Sequence, residues 1–144
     1  LFMHSLVTIV SARNRNVGHR LTLEQFEHMP HVVVSLAGRP GDPYDSVLEE
    51  QGIKRTVFLA TPHFLTVPLL LEQEADLIAT VPLELANVFQ RYGTVRVVQA
   101  PVELAPYALN QHWHPRFHHD PAVVWIRELV KRTFEGYPGD GRDR

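Results

Sequence analysis

The sequence contains no cysteine. A disulfide framework, a thiolate metal site and a cysteine nucleophile are therefore excluded, and any chemistry falls to histidines, carboxylates and the backbone. The sequence also lacks an apolar run near the roughly 18 residues that a membrane span requires, and no basic stretch with a cleavable apolar segment stands at its start. These absences predict a soluble cytoplasmic protein without membrane contact.

A large excess of charge of one sign is missing as well. The 144 residues include 14 basic and 16 acidic side chains, and the basic ones are scattered, so this chain by itself is not expected to bind nucleic acid. The stretch GRPGDP matches neither G-x-G-x-x-G nor a P-loop, and no G-x-S-x-G elbow is present. Neither a cofactor nor nucleophilic catalysis is expected.

What the sequence does contain is a regular alternation of apolar strand-like runs and short helices. Thr22 and Gln25 form a capping box, and Gly52 and Gly93 follow the ends of helices. Alternation at this density is typical of an α/β fold with a mostly parallel, doubly wound sheet. The expected strands are SLVTIVSA (5–12), HVVVSL (31–36), RTVFLA (55–60), ADLIATVP (75–82), VRVVQAP (95–101) and YALNQHW (107–113).

Ligands of such sheets bind at the carboxyl ends of the strands. The sequence TPHF follows a strand there, and it predicts Thr61 as the N-cap and Pro62 as the first residue of a helix that Pro68 should bend. The free N–H groups of the first helical turn, with His63 beside them and Phe64 as an aromatic wall, would suit a carboxylate or phenolate. Alternatively, His63 is an ordinary surface residue and Phe64 an ordinary core residue.

A second polar segment, SLAGRPGDPYD (residues 35–45), lies at the end of the preceding expected strand, residues 31–36. Ser35 and Tyr44 can donate hydrogen bonds to a ligand, and Arg39 can pair with a carboxylate through its two-pronged guanidinium. A solvated loop with an exposed arginine is the plainer interpretation.

Four of the nine histidines lie within NQHWHPRFHHD, residues 110–120. His112 and His114 are expected on one face of a strand, about 7 Å apart, which resembles a zinc pair. Against a metal site, Pro115 interrupts the strand, Asp120 is expected to cap the last helix, and no H-E-x-x-H motif is present. We therefore expect no metal here, and a metal-dependent enzyme is the weakest alternative.

Three segments carry a family resemblance: residues 21–35, residues 48–86 and residues 109–130. They resemble the effector-binding domain of LysR-type transcriptional regulators, in the branch of the nodulation regulators and of the regulators that respond to salicylate and nitroaromatic compounds. TPHF stands where that branch has VPHF, DLIATVP is present unchanged, and the ending WH…DP…W-x-R-x-L is complete. The resemblance extends from about Leu6 to Phe134.

The resemblance implies a fold similar to type 2 periplasmic binding proteins, with two α/β subdomains joined by crossover strands. Residues 12–106 would form the second subdomain, residues 1–11 and 107–135 the crossover strands and C-terminal helix of the first, and residues 136–144 a flexible tail. The remainder of the first subdomain and the DNA-binding domain would lie upstream. The C-terminal helix should therefore expose apolar surface and depend on contacts from another chain.

By the same resemblance, Thr61, His63 and Phe64 fall on the motif at the effector cleft, and His31 and Ser35 are weaker candidates. Arg39 lies on a loop that departs from the family pattern. The implied function is to bind a small aromatic or carboxylate effector, without catalysing a reaction, in a homo-oligomer that contacts DNA only through the upstream domain. The alternative is a transport-type solute-binding protein with the same fold.

Overall fold

The computed structural model describes residues 1–35 and 43–137, which belong to two compact units. The larger unit is Leu6–Leu104, and the smaller one combines Leu1–Ser5 with the residues from Ala105 onward. In chain order the elements are β1 (Phe2–His4), β2 (Leu6–Ser11), α1 (Leu23–His28), β3 (Pro30–Val34), α2 (Pro43–Glu50), β4 (Thr56–Thr61), a 3-10 turn (Phe64–Thr66), α3 (Val67–Gln73), β5 (Ile78–Pro82), α4 (Leu83–Arg91), β6 (Val95–Val98), β7 (Tyr107–Leu109), a second 3-10 turn (Pro115–Phe117) and α5 (Pro121–Thr133).

A five-stranded sheet forms the centre of the larger unit, with the order β4-β3-β5-β2-β6. β3 pairs in parallel with both β4 and β5, whereas β2 pairs antiparallel with both β5 and β6. Four strands therefore run in one direction and β2 runs in the other. This mixed sheet with helices confirms the predicted α/β class.

The start of α1 and the ends of α2 and α4 lie at residues that local sequence signals mark. The Thr22 hydroxyl accepts the Gln25 N–H, and the Gln25 side chain accepts the Thr22 N–H, so the predicted capping box is confirmed. Gly52 and Gly93 follow α2 and α4 with φ angles of 68° and 73°. Because glycine adopts positive φ without a steric penalty, both positions end their helices at little cost.

Apolar side chains pack on both faces of the sheet. The neighbouring residues Ile9 and Val10 of β2 point to opposite faces, and both are fully buried. Ile9 packs in a cluster with Val67 and Leu71 of α3 and with residues of α4. Val10 packs in a second cluster, with side chains of α1 and α2. The doubly covered sheet explains why its strands read as continuous apolar runs.

The smaller unit contains the antiparallel pair β1–β7 and helix α5. Asp120 caps α5 by accepting the N–H groups of Ala122 and Val123, as predicted. No residue of α5 is buried, and Trp125 is 60% exposed. Dependence of α5 on contacts from another chain stays a prediction, based on this exposed apolar face.

The larger unit begins at Leu6, whereas the resemblance placed the start of the second subdomain at residue 12. The difference is β2, which belongs to the central sheet because it is paired on both of its edges. Most of the predicted tail, from residue 138 onward, lies outside the described residues. Within the described parts of the chain, no helix combines the length and apolarity needed to cross a bilayer.

Candidate functional site

The carboxyl ends of β3 and β4 meet at one edge of the sheet. The Ser35 N–H donates to the Thr61 carbonyl over 3.0 Å, and both residues are largely buried. The parallel pairing of the two strands therefore brings together two of the predicted site residues that are far apart in the sequence.

The chain leaves β4 through a turn held by two threonine hydroxyls. The Thr61 hydroxyl accepts the His63 N–H over 3.2 Å and lies 3.3 Å from the Thr66 hydroxyl. Thr66 in turn donates to the His63 carbonyl over 2.8 Å. The N–H and the carbonyl of His63 are thus both hydrogen-bonded, which fixes the backbone position from which its side chain extends.

The predicted helix start at Thr61 is wrong. Thr61 is the last residue of β4, His63 is extended with φ −121° and ψ 110°, and α3 begins only at Val67 after the 3-10 turn. Pro68 lies in the first turn of α3, where its missing N–H costs no hydrogen bond, so it starts the helix instead of bending it. The free N–H groups of the first turn of α3 therefore do not lie at His63.

His63 and Phe64 differ in how they are exposed. His63 is exposed, and its imidazole makes no hydrogen bond with any described residue. Phe64 is partly buried and packs against the core cluster of α3 and α4. At this edge, His63 thus offers a hydrogen-bonding group to solvent or ligand, and Phe64 contributes both to the core and to the local apolar surface.

His31 lies at the opposite end of the sheet from this group. It is the second residue of β3 and Ser35 directly follows that strand, so about 13 Å of extended chain separates the two. The His31 side chain is 1% exposed and contacts Phe26 edge to face, at 4.7 Å between ring centroids. The structure does not bring His31 together with Thr61 and His63, and it gives His31 the surroundings of a core residue.

Burial keeps His31 neutral. Desolvation lowers the pKa of His31 from 6.5 to about 4, although its Nε2–H donates to the Phe26 carbonyl over 2.6 Å, which opposes the shift. The nearby guanidinium of Arg55 lowers the pKa further, and the Asp45 carboxylate raises it.

Of the polar segment after Ser35, Arg39 lies outside the described residues. Tyr44 is buried, with the Arg55 guanidinium 4.8 Å from its ring centroid. Arg55 also forms an ion pair with Asp45. Tyr44 therefore belongs to the core beneath α2, although the sequence suggested it as a ligand donor.

The histidine-rich segment is not a strand. β7 ends at Leu109, and residues 110–114 belong to no strand. The predicted strand to residue 113, with His112 and His114 on one of its faces, is wrong. His114 instead caps the 3-10 turn by accepting the Arg116 N–H. Across the described parts of the chain, no three histidine or carboxylate side chains are arranged to hold a metal ion.

A groove of about 810 Å³ lies on the other side of the larger unit. Its lining includes Leu6 and Thr8 of β2, Val98 of β6 and Val102. Because β4 and β6 are the two opposite edge strands, this groove is separate from the site at Thr61 and His63.

The sequence did not point to Thr66 as part of the site. The sequence pattern contained an indication of it. Thr66 stands five residues after Thr61, with Pro62 and His63 between them, and this spacing suits a turn closed by hydroxyl hydrogen bonds. A helix start competes for the same residues in the sequence pattern, and only the register of β4 against β3 excludes it.

Comparison with known proteins finds one matching protein family and several similar chains. The family model of the LysR substrate binding domain matches residues 1–135. The transcriptional activator NahR of Pseudomonas putida is 38% identical over 114 residues, which are 79% of this chain and 38% of NahR. Nodulation protein D 3 of Rhizobium leguminosarum bv. phaseoli is 32% identical over 132 residues, which are 90% of this chain and 43% of that protein.

Among solved structures, the regulatory domain of MexT, a transcriptional activator in Pseudomonas aeruginosa, superimposes with a TM-score of 0.72 at 32% identity. The match covers 90% of this chain and 63% of the MexT domain. The chain thus spans less than half the length of the two curated relatives. The expected periplasmic-binding-protein-like fold is confirmed by these matches.

The buried neutral His31 predicts a loss of stability in acid. At His31 the unfolded chain binds a proton below pH 6.5, and the folded chain does so only below about pH 4. The contribution of neutral His31 to the free energy of unfolding is therefore fully present above pH 6.5 and is lost as the pH falls to about 4. The loss is about 3 kcal/mol. A His31→Gln variant stays neutral, and its free energy of unfolding in urea should depend less on pH in this window. The exposed His19→Gln should keep the wild-type slope; an unchanged slope in His31→Gln contradicts the assignment.

Proposed function

Since the chain belongs to the family of LysR substrate-binding domains, we propose that it is the effector-sensing portion of a transcriptional regulator. It binds a small aromatic or carboxylate effector and catalyses no reaction. DNA contact falls to a region outside this chain, and the protein works in the cytoplasm. The match over residues 1–135, together with relatives that are transcriptional regulators and not enzymes, supports this proposal.

The effector site that we propose lies at the shared carboxyl edge of β3 and β4. The observation that carries it is the convergence of Ser35, Thr61 and His63 there, with the imidazole of His63 exposed and the backbone around it held by hydrogen bonds. A fixed backbone lowers the entropy that binding must overcome. His63 would donate to an effector carboxylate or hydroxyl, and Phe64 would flank its apolar part. Arg39 remains a proposed contact on the family resemblance alone.

We propose that the two units change their arrangement when the effector binds. An effector shifts such an equilibrium only by its difference in affinity for the two states. Allosteric coupling of 1–3 kcal/mol, a typical range, would be enough to alter how a linked DNA-binding region is presented.

The proposed homo-oligomer would form through the edge strand β4. On this strand Phe58 is 61% exposed, and Leu59 beside it is also exposed. Among the described residues, no strand pairs with the outer edge of β4. The sequence carries no Asp, Glu, Lys or Arg from Thr56 to Leu71. Soluble proteins rarely leave an apolar edge strand uncharged and uncovered. A second copy is the occupant that we propose.

Replacing His63 tests the effector site. Loss of one hydrogen bond to a charged ligand group costs about 1.5–3 kcal/mol, so His63→Ala should weaken effector binding about 10- to 100-fold. Calorimetry with a panel of aromatic and aliphatic carboxylates, on the regulator with its complete effector domain, measures this. His19→Ala, at an exposed histidine of the larger unit, is the matched control and should bind normally. Wild-type affinity in His63→Ala would remove His63 from the site.

Replacing Phe58 tests the interface. An aromatic side chain at an interface commonly contributes 1–3 kcal/mol, so Phe58→Asp should weaken self-association at least about tenfold. Sedimentation velocity over a range of concentrations gives the dissociation constant. Tyr92→Asp, at a residue that is 77% exposed at the end of α4, serves as the control. Unchanged association of the Phe58 variant would exclude β4 as the contact.

A further inference from the structure

The groove beside β6 has an apolar floor. Its lining includes Leu21, Val98 and Val102, which are only 1%, 3% and 7% exposed, and Leu6 of β2 extends this apolar surface. Small-molecule sites commonly have volumes of about 300–1,000 Å³, apolar walls and a few polar groups. The volume of about 810 Å³ lies in that range. We call this recess the Arg20 groove, after the arginine in its lining.

Thr8 is the polar residue in the buried part of this lining. It is 1% exposed, and its hydroxyl lies 3.4 Å from the Thr80 hydroxyl on the neighbouring strand β5. Because the Thr8 hydroxyl already has a partner, it does not need one from a ligand. The floor of the Arg20 groove therefore favours an apolar group, and any selection by charge falls to the exposed residues at its rim.

Arg20 is fixed at this rim through its backbone and through its side chain. The Gln99 N–H donates to the His19 carbonyl, and the Leu21 N–H donates to the Gln99 carbonyl, each over 2.9 Å. The Arg20 Nε–H donates to Gln99 Oε1 over 3.1 Å. The two terminal amino groups of Arg20 make no hydrogen bond with any described residue. The guanidinium is thus oriented in advance, which lowers the entropy that binding must overcome.

Glu103 is the other charged residue of the lining. It is exposed, and its backbone carbonyl accepts the Gln51 side-chain amide over 3.4 Å. Among the described residues, its carboxylate has no hydrogen-bond or ion-pair partner. A guanidinium with two available amino groups matches the two oxygens of a carboxylate. The negative charge of Glu103 at the same rim disfavours a doubly charged head group, so the charges fit a ligand with one negative charge.

We propose that the Arg20 groove is a second ligand site, which binds a small monocarboxylate with an apolar body. The carboxylate pairs with the terminal amino groups of Arg20, and the apolar body lies against Val98 and Val102. The groove shares no residue with the proposed effector site at Thr61 and His63. The larger unit therefore has a second place to bind a small molecule, beyond the one required by the proposed function.

Octanoate is a suitable probe, and 1-octanol is its uncharged counterpart with the same alkyl chain. Calorimetry on the intact regulator should show that octanoate binds at least about tenfold more tightly than 1-octanol, because only octanoate forms charge-assisted hydrogen bonds with Arg20. In His63→Ala, one octanoate should still bind per chain with the same affinity. This result separates the Arg20 groove from the proposed effector site.

Two substitutions at the rim should act in opposite directions. Arg20→Gln should weaken octanoate binding at least about tenfold, whereas Glu103→Gln should strengthen it about two- to fivefold by removing a like charge. Both residues are exposed, so neither substitution is expected to disturb the core. Arg15→Gln, at an exposed arginine outside the lining, changes the net charge equally and should bind octanoate normally.

Three results would overturn the proposal: no binding of octanoate, equal binding of octanoate and 1-octanol, or wild-type affinity in Arg20→Gln. Loss of all octanoate binding in His63→Ala would assign octanoate to the effector site and likewise exclude the Arg20 groove. None of these results decides whether the regulator senses an effector at His63, so the proposed function is tested separately.

Discussion

The pairing of β2 on both of its edges is the constraint on which the larger unit depends. β2 is the antiparallel strand between β5 and β6, and its residues alternate between the two apolar clusters. A shift of its register by one residue would exchange Ile9 and Val10 between the faces and disrupt both clusters at once. The sheet order follows from this strand, and with it the positions of the outer strands β4 and β6.

The candidate site is a consequence of that order. β3 is held between β5 and β4, so its end meets the end of β4, and the Ser35–Thr61 hydrogen bond closes the edge. The Thr61 hydroxyl accepts the His63 N–H of the following turn, and the Thr61 carbonyl accepts the Ser35 N–H at the end of β3. The proposed effector site and the sheet edge therefore share Ser35 and Thr61.

Features that depend on neighbours in the sequence could be predicted. The Thr22 capping box, the Asp120 cap and the glycines after α2 and α4 require only a few consecutive residues, and all are confirmed. Features that depend on a distant partner could not. Whether Thr61 ends a strand or starts a helix depends on its pairing with β3. His31 was suggested as a ligand residue, since the sequence does not show that Phe26 covers it.

The amino-acid sequence by itself determined the α/β class, the caps at Thr22 and Asp120 and the family, because these follow from residue periodicity, local hydrogen bonds and motifs. The tertiary structure alone decided which strand ends meet, which histidine is exposed and which is buried. It also brought Arg20 and Gln99 together. Pairing between distant strands and helices sets each of these, and the free energy of that pairing is not encoded in any short stretch of the chain.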